Sequence, residues 1–149
     1  IPICADKVVI ATPNNEHFRS IDRNNRASIV RMLREERIIM RKAGSATRAA
    51  GARVLEQLGI EESELNVFAH LNDQEATKNL VECGLGIAIM SERAVVNRVN
   101  GGRMLAIDVP GVDSTRNFYV LKRKNVPLGD LAEEFFNLAV NWDDEKYVA

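Results

Sequence analysis

LNVFAHLNDQEATKNLVECGLGIAIM, residues 65–90, decides the fold. Its first seven residues read as a strand. Asn72 then opens a helix to about Cys83, with Ala76, Leu80 and Val81 on one face. Asn72 and Glu75 have the spacing of a capping box, asparagine replacing the usual serine or threonine. Gly84-Leu85-Gly86 ends the helix and feeds a short apolar run, residues 87–90, that reads as a buried strand. Strand, helix and strand with short joints are one unit of an alternating α/β chain.

The flanks repeat the theme. Upstream, residues 7–12 (KVVIAT) form a β-branched strand stopped by Pro13. Residues 14–25 read as a polar surface loop, and 26–33 as a short helix with Ile29, Val30 and Leu33 on one face. Residues 37–40 form a strand ending in the loop Lys42-Ala43-Gly44-Ser45. A helix over about 47–58 buries Ala50, Val54, Leu55 and Leu58, with Gly59 as its left-handed stop. Downstream, Ser91 caps a helix to about Val99. Gly101-Gly102 turns into a strand over 104–109, Pro110-Gly111 is a turn, and 117–122 is another strand. A last helix begins near Pro127, with Leu128, Leu131, Phe135, Leu138 and Trp142 on one face. Residues 143–149 read as a frayed tail.

Such alternation predicts an α/β domain: a mainly parallel sheet flanked by helices on both faces. Ligands of that architecture lie at the carboxyl ends of strands, where helix N-termini point. Two loops meet that description, Gly44-Ser45-Ala46-Thr47 and Leu71-Asn72-Asp73.

Composition excludes several classes. Of 149 residues, 46% are hydrophobic and 28% charged, as in soluble globular proteins. Lysine plus arginine (20) nearly balance aspartate plus glutamate (21), a net charge of −1, which makes the chain itself a poor nucleic-acid binder. No apolar run reaches the roughly 18 residues of a membrane helix, and residues 1–6 form no signal peptide. Cys4 and Cys83 stand far apart without nearby histidines, and His17 and His70 have no ligand spacing, so no metal site or cofactor is expected. The thiols are expected to be reduced, in a cytoplasmic protein. No G-x-S-x-G, P-loop, H-E-x-x-H or paired-carboxylate signature is present, and no catalysis is expected. Glu75 and Lys78 read as an exposed i,i+3 pair, and Glu133 and Glu134 as a solvated face.

Several pieces together resemble one family. Glu75-Ala76-Thr77-Lys78, Leu80-Val81 and Gly84-Leu85-Gly86-Ile87-Ala88-Ile89 resemble the pattern EAIK-x-LV-x-x-GLGIAI of LysR-type effector domains. Gly44-Ser45-Ala46-Thr47-Arg48 resembles the family's GSGTR loop. Ala94-Val95, Gly102-Arg103-Met104-Leu105 and Val109-Pro110-Gly111 look like its AV, GRL and VPG pieces, and residues 120–136 like its closing strand, turn and helix. The pieces stand in the family's order over roughly residues 7–142. Cys83 departs from the pattern, standing where the family commonly has alanine.

The resemblance implies a type 2 periplasmic-binding-protein-like lobe that senses a small, anionic effector. It implies a second lobe over about 6–115, a strand and helix returning toward the first lobe over about 116–142, and a tail over 143–149. The opening of the first lobe and the helix-turn-helix that would contact operator DNA are expected to lie outside the chain. A homodimer or higher homo-oligomer is expected, because the missing part of the first lobe would leave the apolar face of the last helix uncovered. The expected ligand contacts are Ser45, Ala46, Thr47 and Arg48 at one helix start and Asn72 and Asp73 at the next. Serine, threonine and asparagine cap helices everywhere, and Arg48 could equally be a solvated charge. Two rival readings share the fold: a solute-binding receptor of a transport system, marked by a signal peptide, and an enzyme, marked by a reactive side chain at Ser45 or Asn72.

Overall fold

The computed structural model describes residues 1–142. Twelve named elements follow one another along the chain: β1 (Pro2–Pro13), α1 (Glu16–Arg19), α2 (Arg26–Glu35), β2 (Arg37–Arg41), α3 (Ala46–Gln57), β3 (Asn66–Leu71), α4 (Gln74–Glu82), β4 (Ala88–Ser91), α5 (Glu92–Asn100), β5 (Met104–Ile107), β6 (Thr115–Tyr119) and α6 (Asp130–Val140). A single 3₁₀ turn, Glu62–Glu64, precedes β3. Two compact units divide the described residues, Lys7–Ser114 and a smaller one formed by Ile1–Asp6 with the residues from Thr115 on.

In the larger unit, β2 and β3 pair in parallel, Arg37 opposite Asn66 and Arg41 opposite Leu71. A parallel bridge between Ile38 and Ile87 joins β2 to the start of β4, through Ile87 N to Arg37 O and Ile39 N to Ile87 O, each 2.8 Å. β1 pairs antiparallel with β4 on one side and β5 on the other. The strand order is therefore β3-β2-β4-β1-β5. Four of these five strands run one way, and β1 alone runs against them. The predicted mainly parallel direction holds, for a physical reason. The chain reaches β3, β4 and β5 through helical crossovers (α3, α4 and α5), which return it in the same sense. β1 is not connected that way and fills the gap between β4 and β5.

Alternation along the strands builds two apolar layers. Val8 and Ile10 of β1 join Ile38 and Met40 of β2 under α2 and α3, with Ile29, Leu33, Val54 and Leu55. Val9, Ala11 and Ile39 face the other way, against Val81 of α4 and Val95 of α5. Ile10, Ile29, Leu33, Val81 and Val95 are sealed from solvent. Each such side chain contributes about 1.5–3 kcal/mol of transfer free energy. The Ala50, Val54, Leu55 and Leu58 face of α3 is buried as the spacing predicts, and Gly59 takes the left-handed φ of 68°.

Local expectations fail in instructive places. The predicted loop 14–25 contains α1, capped by the Asn15 side chain, which accepts from Phe18 N, and buries Phe18. The capping box at Asn72 does not form. Asp73 is the N-cap of α4 and accepts from Ala76 N at 2.8 Å, while Glu75 turns to Lys78 and Arg98. Adjacent Asn and Asp are both competent caps, and the one that leaves β3 with helical phasing takes the role. β5 and β6 are shorter than predicted, and α6 begins at Asp130, three residues beyond Pro127. The predicted tail, 143–149, lies outside the described residues.

The smaller unit holds β6 against the first part of β1. Ile1 N donates to Val120 O and Val120 N to Ile1 O. Asp6, buried, is paired with Arg116 at 2.7 Å. Leu131, Phe135 and Leu138 of α6 are 81%, 65% and 51% exposed.

Candidate functional site

β2 and β3 end together, and that shared end places the two candidate loops. Arg41 stands opposite Leu71, and Lys42 N donates to Leu71 O at 3.1 Å. The loop carrying Ser45 and the loop carrying Asn72 therefore leave the same edge of the sheet. Each leads into a helix, α3 or α4, with its N-terminal N–H groups at that edge.

The six candidate residues divide by what already holds them. Ser45 is the N-cap position of α3 by backbone angle (φ −74°, ψ 131°), yet its side chain makes no capping hydrogen bond. Gly44 supports the turn with φ 89°, a conformation suited to glycine. Ala46 is exposed and can offer only its backbone. Thr47 is buried. Arg48 is engaged internally: it donates to Arg41 O at 2.8 Å and grips both Glu62 oxygens at 2.6 Å. Bonds from both Nη atoms, Nη1 to the carbonyl and Nη2 to the carboxylate, fix the guanidinium. Asp73 is committed to capping α4, and its carbonyl also takes the Thr77 hydroxyl at 2.8 Å. Asn72 is exposed, with no hydrogen bond to its side chain among the described residues. Ser45 and Asn72 thus keep polar side-chain groups uncommitted at one edge, while Arg48 and Asp73 do structural work.

The same edge carries groups the sequence did not signal. β1 runs antiparallel, so its early part lies beside the end of β4, Val8 opposite Ser91. Lys7 reaches Glu92 at 3.1 Å and Asp108 at 3.0 Å. The hydrogen bond to Asp108, then that to Glu92, holds the Lys7 ammonium above the ordinary lysine pKa. Lys7 and Asp108 are about a hundred positions apart, and no local pattern announces their meeting.

Behind the edge, α4 and α5 are clasped by charge. Arg98 bonds Glu82 at 2.8 Å and Glu75 at 3.1 Å, Arg103 bonds Glu82 at 3.3 Å, and Lys78 donates to Ala94 O at 3.0 Å. The bond from Lys78, foremost, holds the Glu75 carboxyl below the ordinary glutamate range. The Glu75–Lys78 pair, expected to be exposed, is one edge of this network, with Lys78 half-buried.

A cavity of about 30 Å³ between β2 and α3 is lined by Met40, Thr47, Arg48, Leu55 and Glu62. It has room for about one water and none for a metabolite. Among the described residues no three His, Cys, Asp or Glu side chains are grouped to hold a metal, and no helix is long and apolar enough to cross a membrane.

A family model described as the LysR substrate binding domain matches residues 1–143. The chain belongs to that family. It is 28% identical over 127 residues to the HTH-type transcriptional activator CmpR of Synechocystis sp. (strain ATCC 27184 / PCC 6803 / Kazusa), covering 85% of the chain and 40% of the relative. It is 29% identical over 128 residues to the RuBisCO operon transcriptional regulator of Allochromatium vinosum, covering 86% and 40%. The chain spans 40% of the length of these relatives. Two solved structures share its fold. The Synechocystis PCC6803 CcmR regulatory domain, solved in complex with 2-PG, superposes with a TM-score of 0.76 at 21% identity, over 94% of the chain and 64% of that domain. The effector binding domain of QuiR, in complex with shikimate, gives 0.78 at 14%, over 99% and 66%. These likenesses establish the type 2 periplasmic-binding-protein-like architecture.

Proposed function

We propose that this chain is the effector-sensing region of a LysR-type transcriptional regulator, which binds a small anionic metabolite and performs no covalent chemistry. Residues of about 6–115 form the second lobe, and about 116–142 return toward the first. The regulator works in the cytoplasm as a homodimer and contacts operator DNA through a helix-turn-helix domain N-terminal to this region. The observation that carries the reading is the common end of β2 and β3, which sets Ser45 and Asn72 on one edge with uncommitted side chains. Helix N-termini there favour an anion. Ala46 adds backbone N–H, Thr47 and Arg48 shape the loop, and Asp73 holds α4. That relatives are transcriptional regulators, and that structural neighbours were solved with 2-PG and with shikimate, supports sensing over transport or catalysis.

Calorimetry tests it on a chain of the relatives' full length. A panel of small carboxylates and phosphates, shikimate and 2-PG among them, is screened first. For the compound that binds, Ser45→Ala weakens affinity by about 0.5–1.5 kcal/mol if the acceptor is neutral and more if it is charged. If Ser45→Ala and Asn72→Ala both leave affinity unchanged in folded protein, these residues are only loop and cap residues, and the site lies elsewhere.

A further inference from the structure

Six lysine and arginine side chains are half-buried among the described residues: Lys7, Arg41, Arg48, Lys78, Arg98 and Arg116. Five have a carboxylate within 3.1 Å: Asp108 for Lys7, Glu62 for Arg48, Glu75 for Lys78, Glu82 for Arg98 and Asp6 for Arg116. Arg41 is the exception. Its Nε is enclosed away from solvent and has no hydrogen-bond partner, and no ion pair or ring contact holds its guanidinium among the described residues. Elsewhere in this fold a partly desolvated cation is answered by an acid, as the cost of burying charge demands. At Arg41 no acid among the described residues supplies the answering anion.

Its place gives the anion's source. Arg41 is the last residue of β2, opposite Leu71, one residue before the Lys42 amide that ties the two candidate loops together. Alternation along β2 carries it to the Ile39 side, the layer shared with α4, whose N-terminus follows Asn72. We propose that Arg41 is the charge-pairing and specificity-determining residue of the effector edge, presenting its two Nη groups as a fork to two oxygens of a carboxylate or phosphate. The inference rests on the proposed effector site and narrows its ligand to a species with a two-oxygen anionic group. The planar guanidinium also sets a geometric demand: a lysine in the same place keeps the charge and loses the fork.

The test uses this chain with inorganic phosphate, and separately acetate, as probes. The Arg41 Nε–Hε resonance and the Ser45 and Asn72 backbone amides are followed by NMR through each titration, in the parent chain, Arg41→Lys and Arg41→Gln. The expected result is a saturable shift of Arg41 Nε–Hε together with both amides, affinity about tenfold weaker in Arg41→Lys, and no saturable binding in Arg41→Gln. Native amide dispersion in each variant shows that the fold is kept. If both amides shift while Arg41 stays still, or Arg41→Lys binds as the parent does, the inference is overturned and the effector edge stands. If Arg41 shifts without them, Arg41 pairs with anions elsewhere, and both the effector edge and this inference are overturned. If nothing shifts with either probe, both fail.

Discussion

Gly86→Ala should be among the most damaging single-methyl additions to this chain. A Cβ at Gly86 would stand 2.7 Å from the Arg37 carbonyl oxygen, 3.3 Å from its carbon and 3.4 Å from Ile39 Cγ1. The first contact is with backbone, which cannot rotate away. The same carbonyl accepts from Ile87 N at 2.8 Å, and Ile39 N donates to Ile87 O at 2.8 Å. The methyl therefore wedges the bridge that joins β4 to β2. Overpacking of this kind costs about 1–3 kcal/mol, and loosening the two hydrogen bonds adds about 0.5–1.5 kcal/mol each. A loss of about 1–5.6 kcal/mol follows, after an offset of about 0.4–1 kcal/mol from the less flexible unfolded chain. Gly84 is the control. It has the left-handed φ of 78° with nothing within 4 Å of an added Cβ, so Gly84→Ala should cost only conformational strain, about 1–2 kcal/mol. Urea denaturation followed by circular dichroism compares the midpoints, provided the slopes agree. If Gly86→Ala is no more harmful than Gly84→Ala, close approach to β2 is not why Gly86 is glycine.

Two further outcomes follow from the caps and the bare helix face. Asp73→Ala should cost about 1 kcal/mol of stability by releasing Ala76 N, whereas Asn72→Ala should leave thermal unfolding nearly unchanged; equal effects would show that the cap is shared. The chain should associate through α6, where Leu131 and Phe135 are 81% and 65% exposed. Light scattering should find dimers that Leu131→Lys with Phe135→Lys abolishes, and a clean monomer of the parent chain at high concentration would refute this.

What the sequence made legible is what local physics controls. Helical spacing marked the buried face of α3, and Gly59 and Gly84 stood where left-handed stops were needed. Ser45 and Asn72 were legible because each closes a strand and opens a helix, a pattern written within a few residues. α1 was not, since four residues between polar neighbours carry too little periodicity and only Phe18 reaches the core. The choice of Asp73 over Asn72 as cap was also hidden. It depends on where β3 stops, which is fixed from outside the segment by Lys42 bonding Leu71. Arg48 read as an open charge because its partner Glu62 lies fourteen residues on, in a 3₁₀ turn with no strong signature.

The direction of β1 was the least legible feature, and it bears most on the chemistry. Alternation of strands and helices constrains only strands joined by crossovers, and β1 leads instead into α1 and α2. Entering between β4 and β5 against their direction, it delivers Lys7 to the edge where their chains turn into loop and helix. A lone lysine there would be the natural counter-ion of an anionic ligand. Lys7 is already bonded to Asp108 and Glu92, and two carboxylates around one ammonium leave a net negative charge. An arriving anion gains nothing from that trio. Arg48 is closed by Glu62 in the same way. Of the half-buried cations near the ends of these strands, Arg41 is the one without an acid partner among the described residues, so under the proposed reading the attraction for an anion at this edge falls to Arg41 and the helix N-termini beside it.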